Sequence, residues 1–281
     1  MRKPKDILGS TLYHSLIAII GIAMFYPVLW LVASSFKAEG TIFRNAHTLI
    51  PSQFTWKNYL IGWQGFGEAH FGIFFKNSFI ITTVATLGQI FTSAIVAFGF
   101  ARIRFRGKSI LFALMISTLL LPRQIVLIPQ YIMFSSLGWI DTFKPLILPA
   151  FFAQPFFVFL VYQFIQGIPK ELDEAAKIDG CSINDIFFRI ILPNIKPAMI
   201  TTFIFSFYWT WQDFFGPLLY IQSANKYPVS LALKLFSDPS AVTNWGGMFA
   251  MSVLSLVPVF ILFIIFQRYL VEGISTTGMK G

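Results

Sequence analysis

The chain is predicted to be an all-α, polytopic membrane protein with six transmembrane helices, and three observations carry that prediction. Hydrophobic residues make up 56% of the chain and charged residues only 12%, about half the charged share of a typical soluble domain. The apolar residues gather into six runs, each long enough to cross a bilayer core of about 30 Å at about 1.5 Å per helical residue. A cluster of basic residues between two of those runs carries the bias that marks a short cytoplasmic loop.

The first span is placed at 11–35. Arg2, Lys3 and Lys5 precede it, as in a signal peptide, and Ala33-Ser34-Ser35 loosely resembles a cleavage site. The apolar run from Leu16 to Ala33 exceeds the usual signal core of about 7 to 15 residues, so a retained signal-anchor helix is expected. Residues 1–72 are read as this helix and a first external loop. Spans two and three, at 73–101 and 109–134, flank Arg102, Arg104, Arg106 and Lys108, with no acidic residue among them. That one-sided cluster, with six spans, puts both termini in the cytoplasm, and the four side chains are expected to touch anionic headgroups. Spans four, five and six are placed at 143–167, 197–221 and 247–271. Pro and Gly are tolerated inside them because neighbouring helices can satisfy the freed backbone groups. External segments are then 36–72, 135–142 and 222–246. Residues 73–271 form the core, and 272–281 a cytoplasmic tail.

Several function classes fall away. The net charge of +9 follows from this topology and needs no nucleic-acid partner. Cys181 is the single cysteine, so no internal disulfide is possible. His14, His47 and His70 lack ligand spacing, and no metal site is expected. Gly107-Lys108-Ser109 matches the end of a phosphate-binding loop, but the glycine that the motif requires five residues earlier is Arg102. No paired carboxylates, metal cluster or nucleophile–base spacing supports an enzyme.

The segment 168–196 is polar inside an otherwise membrane-soluble chain. Pro169 suits the first turn of a helix, and Glu171, Asp173 and Glu174 crowd its positive end. Leu172, Ala175 and Ala176 are expected to form a small apolar face, with Asp173 and Lys177 supporting one another on the exposed side. Gly180 ends the helix at a left-handed position. Ser182 and Asp185 read as the cap of a second helix, and Pro193 and Pro197 mark the return to the membrane.

The spacing here is Glu174-Ala175-Ala176, three residues, Gly180, nine residues, Ile190, one residue, Leu192-Pro193. It resembles the EAA loop of permease subunits of ABC importers. Further motifs resemble the carbohydrate importers of the maltose type, and the shorter of their two permeases: Leu121-Pro122, Ile128-Pro129, Gly138-Trp139-Ile140-Asp141-Thr142, Trp211-Gln212-Asp213-Phe214, Pro217-Leu218 and Gln267-Arg268-Tyr269. Gln212 stands where that pattern carries asparagine. The resemblance implies the type I importer permease fold in a bacterial or archaeal cytoplasmic membrane. It also implies a second homologous permease, two ATP-binding subunits that hold ATP and Mg, and an extracellular solute-binding protein. This chain itself would bind no cofactor. Leu172, Glu174, Ala175, Ala176, Gly180, Ile190, Leu192 and Pro193 would form the coupling helix and its turn at the ATPase. Gly278, Met279, Lys280 and Gly281 would reach the same interface.

Two ionisable residues inside spans need a cavity or a partner. Arg123 lies about 21 Å into span three and Asp213 about 24 Å into span five, so a direct pair lining the pathway is expected as one arrangement. Tyr208, Trp211 and Gln212 are candidate sugar contacts, since carbohydrate faces suit flat rings flanked by polar groups. Importers of a polyol or glycerol phosphate would preserve every one of these motifs. An ion-coupled carrier would show an internal repeat with discontinuous helices, and no convincing repeat is present.

Overall fold

A computed structural model describes residues 4–65, 69–236 and 244–278. Helix α1 (Pro4–Ser35) and α2 (Lys57–Gln64) are followed by α3 (Phe71–Arg102) and α4 (Lys108–Ser117). Next come α5 (Arg123–Ser136), the short α6 (Lys144–Ile147), α7 (Pro155–Gln166) and α8 (Glu171–Ile178). One turn, α9 (Ile183–Asp185), runs through a π-helical stretch, Ile186–Ile191, into α10 (Leu192–Asn194). The remainder is α11 (Lys196–Trp211), α12 (Phe215–Tyr220), α13 (Val229–Leu235) and α14 (Trp245–Gly278). An isolated antiparallel bridge joins Lys37 and Phe54.

Among the described residues four helical stretches are long and apolar enough to cross a membrane unbroken: Ser10–Ser35, Phe71–Arg102, Lys144–Gln166 and Trp245–Tyr269. The other two candidates are bent pairs, so the count is six when each pair is one span. Lys108–Leu120 meets Gln124–Ser136 at 103°, where the sequence led us to expect one continuous span at 109–134. The break has a local cause. Pro122 offers no N–H and disfavours helical geometry in the residue before it, and Leu121 accordingly takes φ −82°, ψ 122°. The expected span at 197–221 is also divided. Helix α11 stops at Trp211 and the chain restarts as α12, with Asp213 Oδ1 accepting the Gly216 N–H at 3.3 Å. On the other side, Ile183–Asn194 meets Lys196–Trp211 at 75°. Helix α14 continues through Gly278, so residues 272–278, read from sequence as a tail, prolong the last helix.

The chain forms two compact units. The first comprises residues up to Phe71 together with Leu233–Val257. Its loop after α1 is ordered by polar contacts. The Lys37 ammonium, 2% exposed, donates to the Asn45 and Thr48 carbonyls at 2.9 and 2.7 Å, and burial lowers its pKa. Asn58 bonds the Ser35 and Lys37 carbonyls. The Glu39 carboxylate accepts the Trp245 and Gly246 N–H groups at 2.7 Å each, satisfying orphan donors at the positive end of α14.

The second unit comprises Gly72–Ala232 and Pro258–Gly281. Small residues on α3, Ala94, Ala97 and Ala101, let Val158, Val161 and Ile165 of α7 approach closely, the usual device where helices pack in lipid. Ala176, Ile186, Phe187, Ile191 and Ile195 join the same core, so the loop 168–196 is fastened to the spans. A second cluster packs Ile204, Phe207 and Trp211 against Leu262.

Candidate functional site

Helix α8 ends as its sequence requires. Gly180 has φ +82°, its N–H bonds Lys177 O at 3.1 Å, and the Cys181 N–H bonds Ala176 O at 2.9 Å. That is the paired bond set of a Schellman termination. Ser182 and Asp185 then form a reciprocal capping box that opens α9. The π-helical stretch follows, and Asn194 Nδ2 donates to the Ile190 carbonyl at 2.7 Å, next to Pro193.

The faces of α8 differ from the sequence reading. Asp173 is buried and Ala176 lies in the core, whereas Leu172, Glu174, Ala175, Lys177 and Ile178 are exposed. The expectation that Asp173 pairs with Lys177 in solvent is therefore corrected. Asp173 Oδ2 lies 2.6 Å from Arg102 Nε, with the two side chains only 9% and 6% exposed. Arg102 Nη2 also donates to the Ile168 carbonyl at 2.7 Å. Arg102 thus leaves the basic cluster expected to lie on headgroups, its guanidinium paired instead with a buried carboxylate. This pair ties the end of α3 to α8 and brings the 102–108 connection and the 168–196 loop to one end of the unit. Ile190 and Leu192 are half-buried and Pro193 is exposed.

A cavity of about 550 Å³ opens elsewhere in the same unit. Its polar lining is Gln89, Gln130, Gln154, Thr210 and Asp213, with Trp209 beside them. Gln89 Nε2 donates to Gln154 Oε1, and Ser206 Oγ donates to Gln89 Oε1, both at 2.6 Å. Trp209 stacks on Phe157 with ring centroids 5.3 Å apart. A buried amide costs free energy unless it is hydrogen-bonded, and this ladder supplies such bonds to Gln89 and Gln154.

The sequence-derived candidates separate here. Asp213 lines the cavity, at the break between α11 and α12. Arg123 starts α5 immediately after the Pro122 break, and its side chain lies outside those described. Trp211 is buried, parallel to Phe207 at 5.7 Å and edge-on to Phe79 at 5.0 Å. Tyr208 and Gln212 are exposed and do not line the cavity. Trp209, Thr210 and the three glutamines line it instead; the sequence signal for the glutamines was polar amides inside apolar runs. Gly278 closes α14, while Met279, Lys280 and Gly281 lie outside the described residues.

Another loop of the unit is clasped by Asp141, at φ +59°. Its carboxylate accepts the Gln222 and Ser223 N–H groups, the Ser223 hydroxyl and the Lys226 ammonium at 2.5–3.0 Å. The Lys226 and Ser223 bonds hold its carboxyl well below the usual carboxylate range.

Comparison with known proteins adds a lineage to this geometry. Residues 89–276 match the family described as "Binding-protein-dependent transport system inner membrane component". The chain is 36% identical over 279 residues to the "Probable ABC transporter permease protein YurM" of Bacillus subtilis, covering 99% of this chain and 91% of that protein. It is 34% identical to the arabinooligosaccharides transport system permease protein AraQ of Halalkalibacterium halodurans, covering 100% and 99%. Its fold matches the crystal structure of a bacterial ABC transporter involved in the import of the acidic polysaccharide alginate, with a TM-score of 0.82 at 19% identity over 96% of this chain and 99% of that one.

Proposed function

This chain belongs to the binding-protein-dependent transport system inner membrane components, and on that premise we propose that it is one permease of an ATP-driven ABC importer for a sugar or oligosaccharide. It is a multi-pass membrane subunit and does no chemistry of its own. It supplies half of an alternating-access pathway, the other half coming from a homologous permease. Two ATP-binding subunits and a solute-binding protein complete the assembly, and ATP and Mg belong to the former. The sugar class is carried over from relatives such as the arabinooligosaccharide permease.

The observation that carries the reading is the mounting of α8. Its outer residues Leu172, Ala175 and Ile178 are exposed, while Asp173 and Ala176 fix it to α3 and the core. A partner that grips the outer face therefore moves the end of α3 with it. Closure of the ATPases becomes rotation of spans, coupling through packed rigid elements with two discrete arrangements. The cavity lined by Gln89, Gln130, Gln154, Thr210 and Asp213 presents hydrogen-bonding groups beside Trp209, a lining suited to a polyhydroxylated solute.

Uptake into proteoliposomes tests this. The complete complex should accumulate labelled arabinooligosaccharides or maltooligosaccharides only with ATP and the solute-binding protein. Accumulation driven by an ion gradient without ATP would refute the assignment.

A further inference from the structure

We propose that the cleft between α8 and the connection from α3 to α4 binds the phosphate headgroup of an anionic phospholipid. The cleft has a volume of about 600 Å³. Arg104 and Lys108 enter it from the connection, and Lys170 and Lys177 from the start and end of α8. Arg102 also lines it, but its charge is spent on Asp173. Four cations therefore face one remaining carboxylate, Glu174. Among the described residues Arg104, Lys170 and Lys177 form no ion pair, and Lys108 reaches only the Ile103 carbonyl, at 3.3 Å.

The depth of the cleft identifies the source of the anion. Residues 103–107 are a short link between two apolar helices, and Lys170 stands four residues beyond the end of α7. Both places adjoin the ends of helices long and apolar enough to cross a membrane or of a bent candidate pair, and on that topology they fall at headgroup level. The floor is apolar, formed by Phe98, Ala101 and Ile186, which suits the start of an acyl chain. A docking ATPase would use a different face. Lys170, just before α8, and residues 173, 174 and 177 of α8 line the cleft, Glu174 among them although the sequence resemblance put it at the ATPase, whereas Leu172, Ala175 and Ile178 do not. Helical spacing puts these two sets on different sides.

A bound phosphate would join the 103–107 connection to α8 beside the Arg102–Asp173 pair. Lipid charge then sets how firmly α8 is held, an effect that rests on the coupling role proposed above; the binding itself does not.

The binding is read first. The intact complex, delipidated and given graded phosphatidylglycerol in phosphatidylcholine nanodiscs, is ejected for native mass spectrometry. Wild type should retain at least one tightly held phosphatidylglycerol. Arg104→Gln and Lys170→Gln should each weaken its retention about fivefold, matching about 1 kcal/mol per cation at an anionic surface. Arg104→Lys should preserve it. Arg106→Gln removes the same charge from the same connection but does not line the cleft, and should have little effect. Equal losses in the Arg104 and Arg106 variants would reduce the site to diffuse surface charge and overturn the proposal. So would displacement of the lipid by millimolar inorganic phosphate, or loss of ATPase co-purification from lipid-free detergent in the Lys170 variant, which would place this surface in the protein interface. If lipid retention follows the prediction but sugar-stimulated ATP hydrolysis ignores phosphatidylglycerol, the site stands and the coupling reading of α8 fails.

Discussion

Removing the Asp173 carboxylate should be among the most damaging single changes at the α8 end of the molecule. Arg102 is 6% exposed and its Nε lies 2.6 Å from Asp173 Oδ2. In Asp173→Ala the guanidinium stays buried with the Ile168 carbonyl as its remaining partner. Breaking a buried pair from one side costs about 3–5 kcal/mol. The lower end applies, because that carbonyl continues to accept a hydrogen bond, and because Arg102 Nε and Nη1 and Asp173 Oδ1 are already without one. About 3 kcal/mol corresponds to a fall of roughly 6–12 °C in the thermal midpoint, on the scale of a domain of about 150–250 residues.

The assay is a four-chain cycle of wild type, Asp173→Leu, Arg102→Met and the double variant, read as the thermal midpoint of the purified complex. Each single change should be costly, whereas the double should recover most of the loss, since a well-packed apolar pair often matches a buried ion pair. The coupling energy should be about 2–3 kcal/mol, large for residues in contact. Additive effects, or a fall under about 2 °C in Asp173→Leu, would mean that the pair does not hold α8, and the rigid link to α3 would go with it.

Other consequences follow from the same geometry. Ala175→Trp and Leu172→Asp alter the outer face only, and both should insert and pair with the second permease yet lose ATPase co-purification; retained wild-type transport would refute the docking face. Gly180→Val puts a β-branched residue at φ +82° with no neighbouring atom to clash, so its cost is backbone strain of about 1–3 kcal/mol, and a thermal midpoint equal to wild type would contradict the turn. Asp141→Asn should destabilise the complex at neutral pH. Because its folded pKa is depressed by Lys226 and Ser223, that contribution is present above the unfolded value near 3.9 and is lost only as pH falls below it; a wild-type advantage that vanishes by pH 5 would show another group at work. In a Cys181→Ser background, an impermeant thiol reagent applied to whole cells should label a cysteine at Ser52 and spare one at Ser109, and the opposite pattern would invert the orientation.

Apolar run length made the spans legible, and turn chemistry made the loop legible. Gly180, Ser182, Asp185 and Pro193 each impose a local geometry that depends on nearby chain alone, and Gly180 and the Ser182–Asp185 pair adopt the ones expected. The faces of α8 were not legible, because a helix of eight residues carries two competing patterns. Leu172, Ala175 and Ala176 suggested burial by hydrophobicity, yet the deciding contact comes from Arg102, 71 positions from Asp173, which no local rule can see. The breaks at Pro122 and at 212–214 were written in the sequence as Pro122 and Pro217, but tolerance of proline in membrane helices made them uninformative until the chain was seen to bend.

The two breaks bear directly on transport. A helix that crosses unbroken satisfies its own backbone, so it has no need of water or polar neighbours at depth. Where α11 gives way to α12, the chain turns inside the second unit, and Asp213, at that turn, lines the same cavity as Gln130 of α5 and Gln154 at the start of α7. Freed backbone at such depth is tolerated only where protein or a water-filled space receives it. Polar side chains and broken helices therefore coincide for one reason: each is costly against lipid and harmless against a hydrated cavity. Their convergence on Gln89, Gln130, Gln154, Thr210 and Asp213 supports placing the route of a polar solute there in the proposed importer.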